Sequence, residues 1–141
     1  WKRNGTNITD ATAETYVIVG ADLGASITVE VTATRAGYTT VVKTSVARTA
    51  LAGTFTNSVA PVITGTASVG SVLTTTQGTW LPSPDSVTYQ WFRGSSAIPG
   101  ATNSTYTLVI RDRSKKITVR VTVVKTNYTT TTKTTAGVQP S

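Results

Sequence analysis

Cysteine, methionine and histidine are all absent from the 141 residues of this chain, and only six residues are acidic. Without cysteine there are no disulfide staples, so stability must come from packing alone, and the redox compartment stays undetermined. Without histidine or cysteine there is no nucleophile–base pair of the usual kinds and no imidazole or thiolate metal site. Catalysis is therefore not expected, nor any cofactor or metal. No apolar run approaches the roughly 18 residues a membrane-spanning helix needs, so membrane insertion is not expected either. Trp1-Lys2-Arg3 opens no signal-peptide pattern, and any secretion signal is expected upstream of it.

What the chain has in abundance is threonine, 32 residues, and valine, 18 residues. Side chains branched at Cβ are stiff at χ1 and pack well on a pleated surface, so the composition favours strands over helices. The net charge of +7 is unevenly held: residues 1–50 carry five Lys/Arg against four Asp/Glu, and residues 51–141 carry eight against two. Such a balance suits anionic partners, wall glycans among them. Nucleic acid is disfavoured, because the cations are scattered among threonines and not interleaved with aromatics on which bases could stack.

The chain repeats itself. From Trp1 to Thr44 the landmarks recur ninety positions later, from Trp91 to Thr134, without a gap, and 19 of the 44 aligned positions are identical. Trp1/Trp91, Arg3/Arg93, Tyr16/Tyr106, Asp22/Asp112, Ile27/Ile117, Val29/Val119 and Tyr38/Tyr128 are among them. A fixed period means an array of one module. The copy opening at Trp1 has no counterpart of residues 61–90, so the expected organisation is the C-terminal part of one module over residues 1–50 and a complete module over 51–141. The small, polar stretch Ala47 to Ala60 is expected to be a short, semi-flexible junction.

Period-2 patterns bounded by Gly, Pro, Asn and Ser divide the complete module into seven strands. The strongest is Lys116 to Val123, in which Ile117, Val119, Val121 and Val123 should face a core while Lys116 and Arg120 face water. Its copy should turn Ile27, Val29 and Val31 inward. Thr129 to Thr135, almost wholly polar and carrying Lys133, reads as a protected sheet edge. Seven short antiparallel strands with Trp91 on the third argue for an all-β fold, tandem immunoglobulin-like β-sandwiches with Trp91 buried in one core, the first module being incomplete at its N-terminal side.

The run PVITGTASVGSVLTTTQGTW, then YQWFR, IPGATNSTYTL, a D-x-x-x-x-I-T-V-x-V-T segment and Asn127-Tyr128 resembles the bacterial Ig-like repeat of actinobacterial secreted and surface proteins. The resemblance covers residues 53–138 and, in its second half, residues 1–46. It implies a spacer or attachment module at the cell surface or outside the cell, strung beside other domains of the same polypeptide. Two departures stand out. The family's Asp-x-Gly turn is kept at Asp22-Leu23-Gly24 but reads Asp112-Arg113-Ser114 in the second copy, where serine should be strained if φ is positive. Asn127-Tyr128 replaces the usual Gly-Tyr, and Asn is the next best residue for a left-handed position.

Among residues that could carry chemistry, Asp22 and Asp112 occupy equivalent turns of different modules. They cannot make a hydrolytic pair, and each is expected to cap backbone amides. Calcium at these turns is disfavoured by the surrounding cations. Trp91, Tyr106 and Tyr128 recur at the repeat period, as packing residues do. Trp80 follows a turn and is the best aromatic for a surface role. A glycan-binding site would combine Trp80 with Arg93, Arg111, Arg113, Lys115 and Lys116. Ordered threonine rows, as a template for ice or crystalline polysaccharide, would need a flat sheet and a fixed short period that the sequence lacks.

The expected function is that of a non-catalytic extracellular tandem acting as stalk, spacer or adhesive module. One alternative is a carbohydrate or cell-wall binding module. Another is a subunit of a filament of identical chains, in which a strand from a neighbour covers the apolar edge left open at Trp1, Ile18, Val29 and Val31.

Overall fold

A computed structural model describes residues 1–141, and the chain divides into two compact units, Trp1–Gly53 and Thr54–Ser141. Both are built from antiparallel strands without any α-helix. The first unit holds β1 (Lys2–Arg3), β2 (Thr6–Asn7), β3 (Ser26–Thr28), β4 (Glu30–Ala33), β5 (Val41–Thr44) and β6 (Arg48–Thr49). The second holds β7 (Thr56–Val59), β8 (Ile63–Thr64), β9 (Val72–Thr75), β10 (Thr79–Leu81), β11 (Ser86–Arg93), β12 (Ser96–Ala97), β13 (Thr105–Thr107), β14 (Ile117–Val124) and β15 (Thr131–Thr134). Each unit also carries a single 3₁₀ turn, Gly20–Asp22 and Ile110–Asp112.

In the second unit β11 and β14 pair along their whole length, from Ser86 opposite Val124 to Arg93 opposite Ile117. With β12 and β15 on the flanks they form a four-stranded sheet whose edge is β15, where the polar, lysine-bearing sequence placed it. A three-stranded sheet, β13-β9-β8, supplies Leu73 to a cluster with Trp91, Leu108, Ile117 and Val119 from the other layer and its connections. The alternation read in β14 holds at every position: Ile117, Val119, Val121 and Val123 have no exposed surface, and Arg120 is exposed. Trp91 is likewise fully buried, and its indole Nε1 donates to the Asn103 carbonyl at 2.9 Å, so the one polar atom of the ring is satisfied.

The first unit has the same register without the same cover. β4 pairs with β5, Glu30 opposite Thr44 and Val31 opposite Lys43, ninety positions from Arg120–Thr134 and Val121–Lys133. Yet its only buried apolar residues are Ala25, Ile27 and Ala50, with Trp1 and Tyr16 packed alongside. The expectation that Val31 faces a core fails: it is 60% exposed, and Val29 is half-buried. The strand expected to run through Val29 is interrupted there, β3 pairing with β1 and β6, and β4 only with β5. In the second unit Val121 packs with Phe55, Trp80 and Val87, none of which has a counterpart in the first unit.

The stretch 47–60 contains the boundary between the two units, and it also carries two strands. β6 pairs with β3, Ala50 is 5% exposed and donates its N–H to the Ala25 carbonyl, and β7 pairs with β10. The two substituted turns behave as the residue types imply, since Ser114 (φ 57°) and Asn127 (φ 66°) occupy left-handed backbone where the first unit has Gly24 and Gly37. Ser114 bears the penalty of a Cβ in that region.

Three substitutions check this account in chemical denaturation of the chain. Trp91→Ala should cost about 3–5 kcal/mol in the second unit's transition. Val31→Ala, on an uncovered strand, should stay within about 0.5 kcal/mol. Ser114→Gly should stabilise the second unit by roughly 0.5–1 kcal/mol by relieving the left-handed backbone.

Candidate functional site

Each unit holds a buried carboxylate gripped from three sides. Asp112 ends the 3₁₀ turn Ile110–Asp112 and has no exposed surface. Its Oδ1 accepts from Arg93 Nε at 2.6 Å, and its Oδ2 accepts from the Tyr106 hydroxyl at 2.8 Å and from the Val109 backbone N–H at 2.8 Å. Asp22 is held identically by Arg3 at 2.6 Å, Tyr16 at 2.8 Å and the Val19 N–H at 2.8 Å. A carboxylate is stable out of water when its oxygens accept hydrogen bonds and its charge is paired, and both conditions are met here.

Both aspartates cap a backbone amide as expected. The tyrosine and arginine partners were missed by sequence reasoning, although each recurs at the ninety-residue period and that recurrence was the available signal. Arg93, grouped with the candidate glycan ligands, belongs instead to this internal ion pair. With every carboxylate oxygen engaged, the turn offers nothing to a cation or to acid–base chemistry.

The electrostatics follow from the contacts. The Val19 amide, with Arg3 and Tyr16, holds the Asp22 carboxyl below its ordinary range. Burial first, and then the neighbouring carboxylate, push Tyr16 and Tyr106 above theirs. On the exposed surface Asp85 is lowered in the same way, by the Thr126 N–H at 2.8 Å and by Lys125 at 2.9 Å.

Trp80 is not a surface aromatic. It is 5% exposed, packs on Val121 and Val123 with Phe55 edge-on at 6.1 Å, and donates its indole N–H to the Gln77 carbonyl at 2.8 Å. The turn before it points it into a second, smaller core. Arg111, Arg113, Lys115 and Lys116 are all exposed and none takes part in an ion pair. Their loop is pinned by Ser114 N–H to the Pro140 carbonyl at 2.8 Å and by Gly94 N–H to the Lys116 carbonyl at 2.7 Å. The loop enters β14 at Ile117, whereas Trp80 packs four to six residues further along that strand, about 13–20 Å away at the strand rise. The six candidate residues therefore do not form one site. What remains is four free cations on a fixed loop.

An apolar concavity lies in the first unit. It has a volume of about 430 Å³ and is lined by Trp1, Ile18, Ile27, Val29, Val46 and Leu51, with Ser45, Arg48, Thr49 and Ala50. Three residues of the expected open edge, Trp1, Ile18 and Val29, line it. The fourth, Val31, lies outside it on β4. No group of acidic side chains is arranged to hold a metal ion, and no helix is long and apolar enough to cross a membrane.

Asp22 and the two lock tyrosines give a pH dependence with two limbs. Asp22, lowered in the folded unit, contributes stability that is present above the unfolded carboxyl value of about 4 and is lost as pH falls through its folded value. Tyr16 and Tyr106, raised, contribute stability that is full below about pH 10 and is lost as pH rises through their folded values. Spectroscopic titration should show two of the five tyrosines ionising after the rest, together with a fall in melting temperature; ionisation of all five in one step would contradict the lock. Asp112→Asn should cost the second unit about 1–3 kcal/mol in denaturant, because an amide nitrogen then faces a donor. No sequence family, curated protein or solved structure matches the chain.

Proposed function

We propose that this chain is a non-catalytic stretch of tandem immunoglobulin-like modules, of the bacterial surface-repeat kind, that serves as a stalk, spacer or adhesive module in a larger secreted or cell-surface protein. The observation that carries the proposal is the Arg–Asp–Tyr lock built twice at a ninety-residue spacing. Duplicating a structural fastener, and not a reactive site, is what an array selected for mechanical regularity requires. Asp22 and Asp112, the carboxylates duplicated by the repeat, are both engaged in holding strands together. Its partners are then the neighbouring domains of the same polypeptide.

Pulling on the chain between two attachment points is the direct test. The second unit should unfold in one cooperative step, at a force that drops in Arg93→Ala. Gradual extension with no such step would remove the mechanical role. Incubation with a panel of glycans should give no turnover, and turnover of any of them would overturn the non-catalytic part of the proposal.

A second role is favoured by a separate observation, the four unpaired cations at Arg111, Arg113, Lys115 and Lys116. They suit an anionic wall glycan, without the help of Trp80. Binding by such a loop should fall steeply with salt, since exposed charges are screened beyond about 10 Å at 0.1 M. Changing all four to Gln should abolish retention on a polyanionic glycan while leaving the melting temperature unchanged; retention that survives the change excludes this role.

A further inference from the structure

Four apolar walls of the groove in the first unit have counterparts ninety positions on. Trp1, Ile18, Ile27 and Val29 correspond to Trp91, Leu108, Ile117 and Val119, and in the second unit these four are 0%, 1%, 0% and 0% exposed. Leu73 of β9, itself fully buried, and Ile63 of β8 cover them there. The backbone contributes as well. β9 lies antiparallel to β13, with Leu73 opposite Tyr106, while Leu108 N–H donates to the Ser71 carbonyl and Gly70 N–H to the Leu108 carbonyl, both at 2.9 Å.

In the first unit the residues equivalent to β13 and its extension, Thr15 to Ile18, make no backbone hydrogen bond, and Val17 and Ile18 are 80% and 41% exposed. An apolar groove and an unpaired backbone edge thus lie side by side. They present the two recognition elements that strand addition uses, main-chain pairing for affinity and a side-chain pocket for register.

We propose that this groove and edge form a docking site for one occupant, an extended segment with the pattern of residues 61–76, with its equivalent of Leu73 seated between Ile18 and Val29. The second unit supplies the ground for choosing this occupant over a second copy. Its own cover lies on the same chain, a short way N-terminal of Trp91, and its Leu73 fits this set of walls. The inference goes beyond the stalk role and does not depend on it, because a strand-completed unit could serve any of the roles above.

The test is to join residues 54–90 ahead of Trp1 in the 141-residue chain, so that a Gln precedes Trp1 as Gln90 precedes Trp91, and to follow amide exchange at Ile18. This amide is the counterpart of the Leu108 amide bonded to Ser71. In the original chain it should exchange freely. In the extended chain it should slow by about 100-fold or more, with Trp1 fluorescence shifting to the blue. Leu73→Asp in the added segment alone should reverse both changes, and unchanged exchange at Val119 and Val121 shows that the second unit stays folded. Three results would overturn the proposal: an Ile18 amide that stays fast in the extended chain, protection that survives Leu73→Asp, or protection in the original chain accompanied by dimerisation, which would make a second copy the occupant. None of these bears on the single-step unfolding of the second unit, so the two proposals fail separately.

Discussion

The architecture depends on a carboxylate kept out of water. Asp112 could not be buried unpaired, because an ionised group in an apolar interior is unstable by several kcal/mol unless compensated. Its compensation comes from three different places in the chain: Arg93 at the end of β11, Tyr106 on β13 and the Val109 amide at the start of the turn. Satisfying the charge therefore fixes where β11 ends, where β13 runs and where the chain turns into β14. Arg93 is also the residue opposite Ile117 in the β11–β14 ladder, so the ion pair sets the strand register from one end. A one-residue slip would unpair the charge and turn Ile117, Val119, Val121 and Val123 outward at the same time.

What was legible in the sequence follows from which signals are local. β14 was legible because one face is buried along eight residues and the other is wet, which writes a period of two into the chain. Trp91 was legible because it sits on an alternating strand and recurs as Trp1. The left-handed positions at Ser114 and Asn127 were legible because glycine stands at both places in the other copy. Trp80 was not. It occurs in a part of the repeat present once, so no second copy marked it as a packing residue, and a turn pattern does not say which layer the next side chain enters. β6 and β7 were read as linker because strands of two and four residues, mostly small and polar, carry no periodicity of their own. Their pairing is decided by distant partners, β3 and β10.

The candidate glycan site shows the same division. Four of its cations stand close together around a turn and are exposed. Arg93, equally basic, was consumed by an aspartate nineteen residues away that composition could not pair with it. The Tyr106 hydroxyl was hidden in the same way, because recurrence marks a residue as structural without saying whether its ring or its hydroxyl matters. Comparing the two copies as sets, and not position by position, would have linked Arg, Tyr and Asp as one unit of structure.

The two units separate what topology needs from what stability needs. In the first, the lock is complete, with the same distances as in the second, because Arg3, Tyr16 and Asp22 span only the first twenty-two residues. The cover is absent, because in the second unit it comes from residues that precede the tryptophan and reach the core through long-range pairing. A short-range fastener can thus form with part of the hydrophobic core missing. It directs strands β1 and β3 into register and leaves Trp1, Ile18 and Val29 lining an open groove. Burial is worth about 25 cal/mol per Å² of apolar surface. That uncovered face, and not the lock, therefore sets how much stability the first unit stands to gain from a strand of its own pattern.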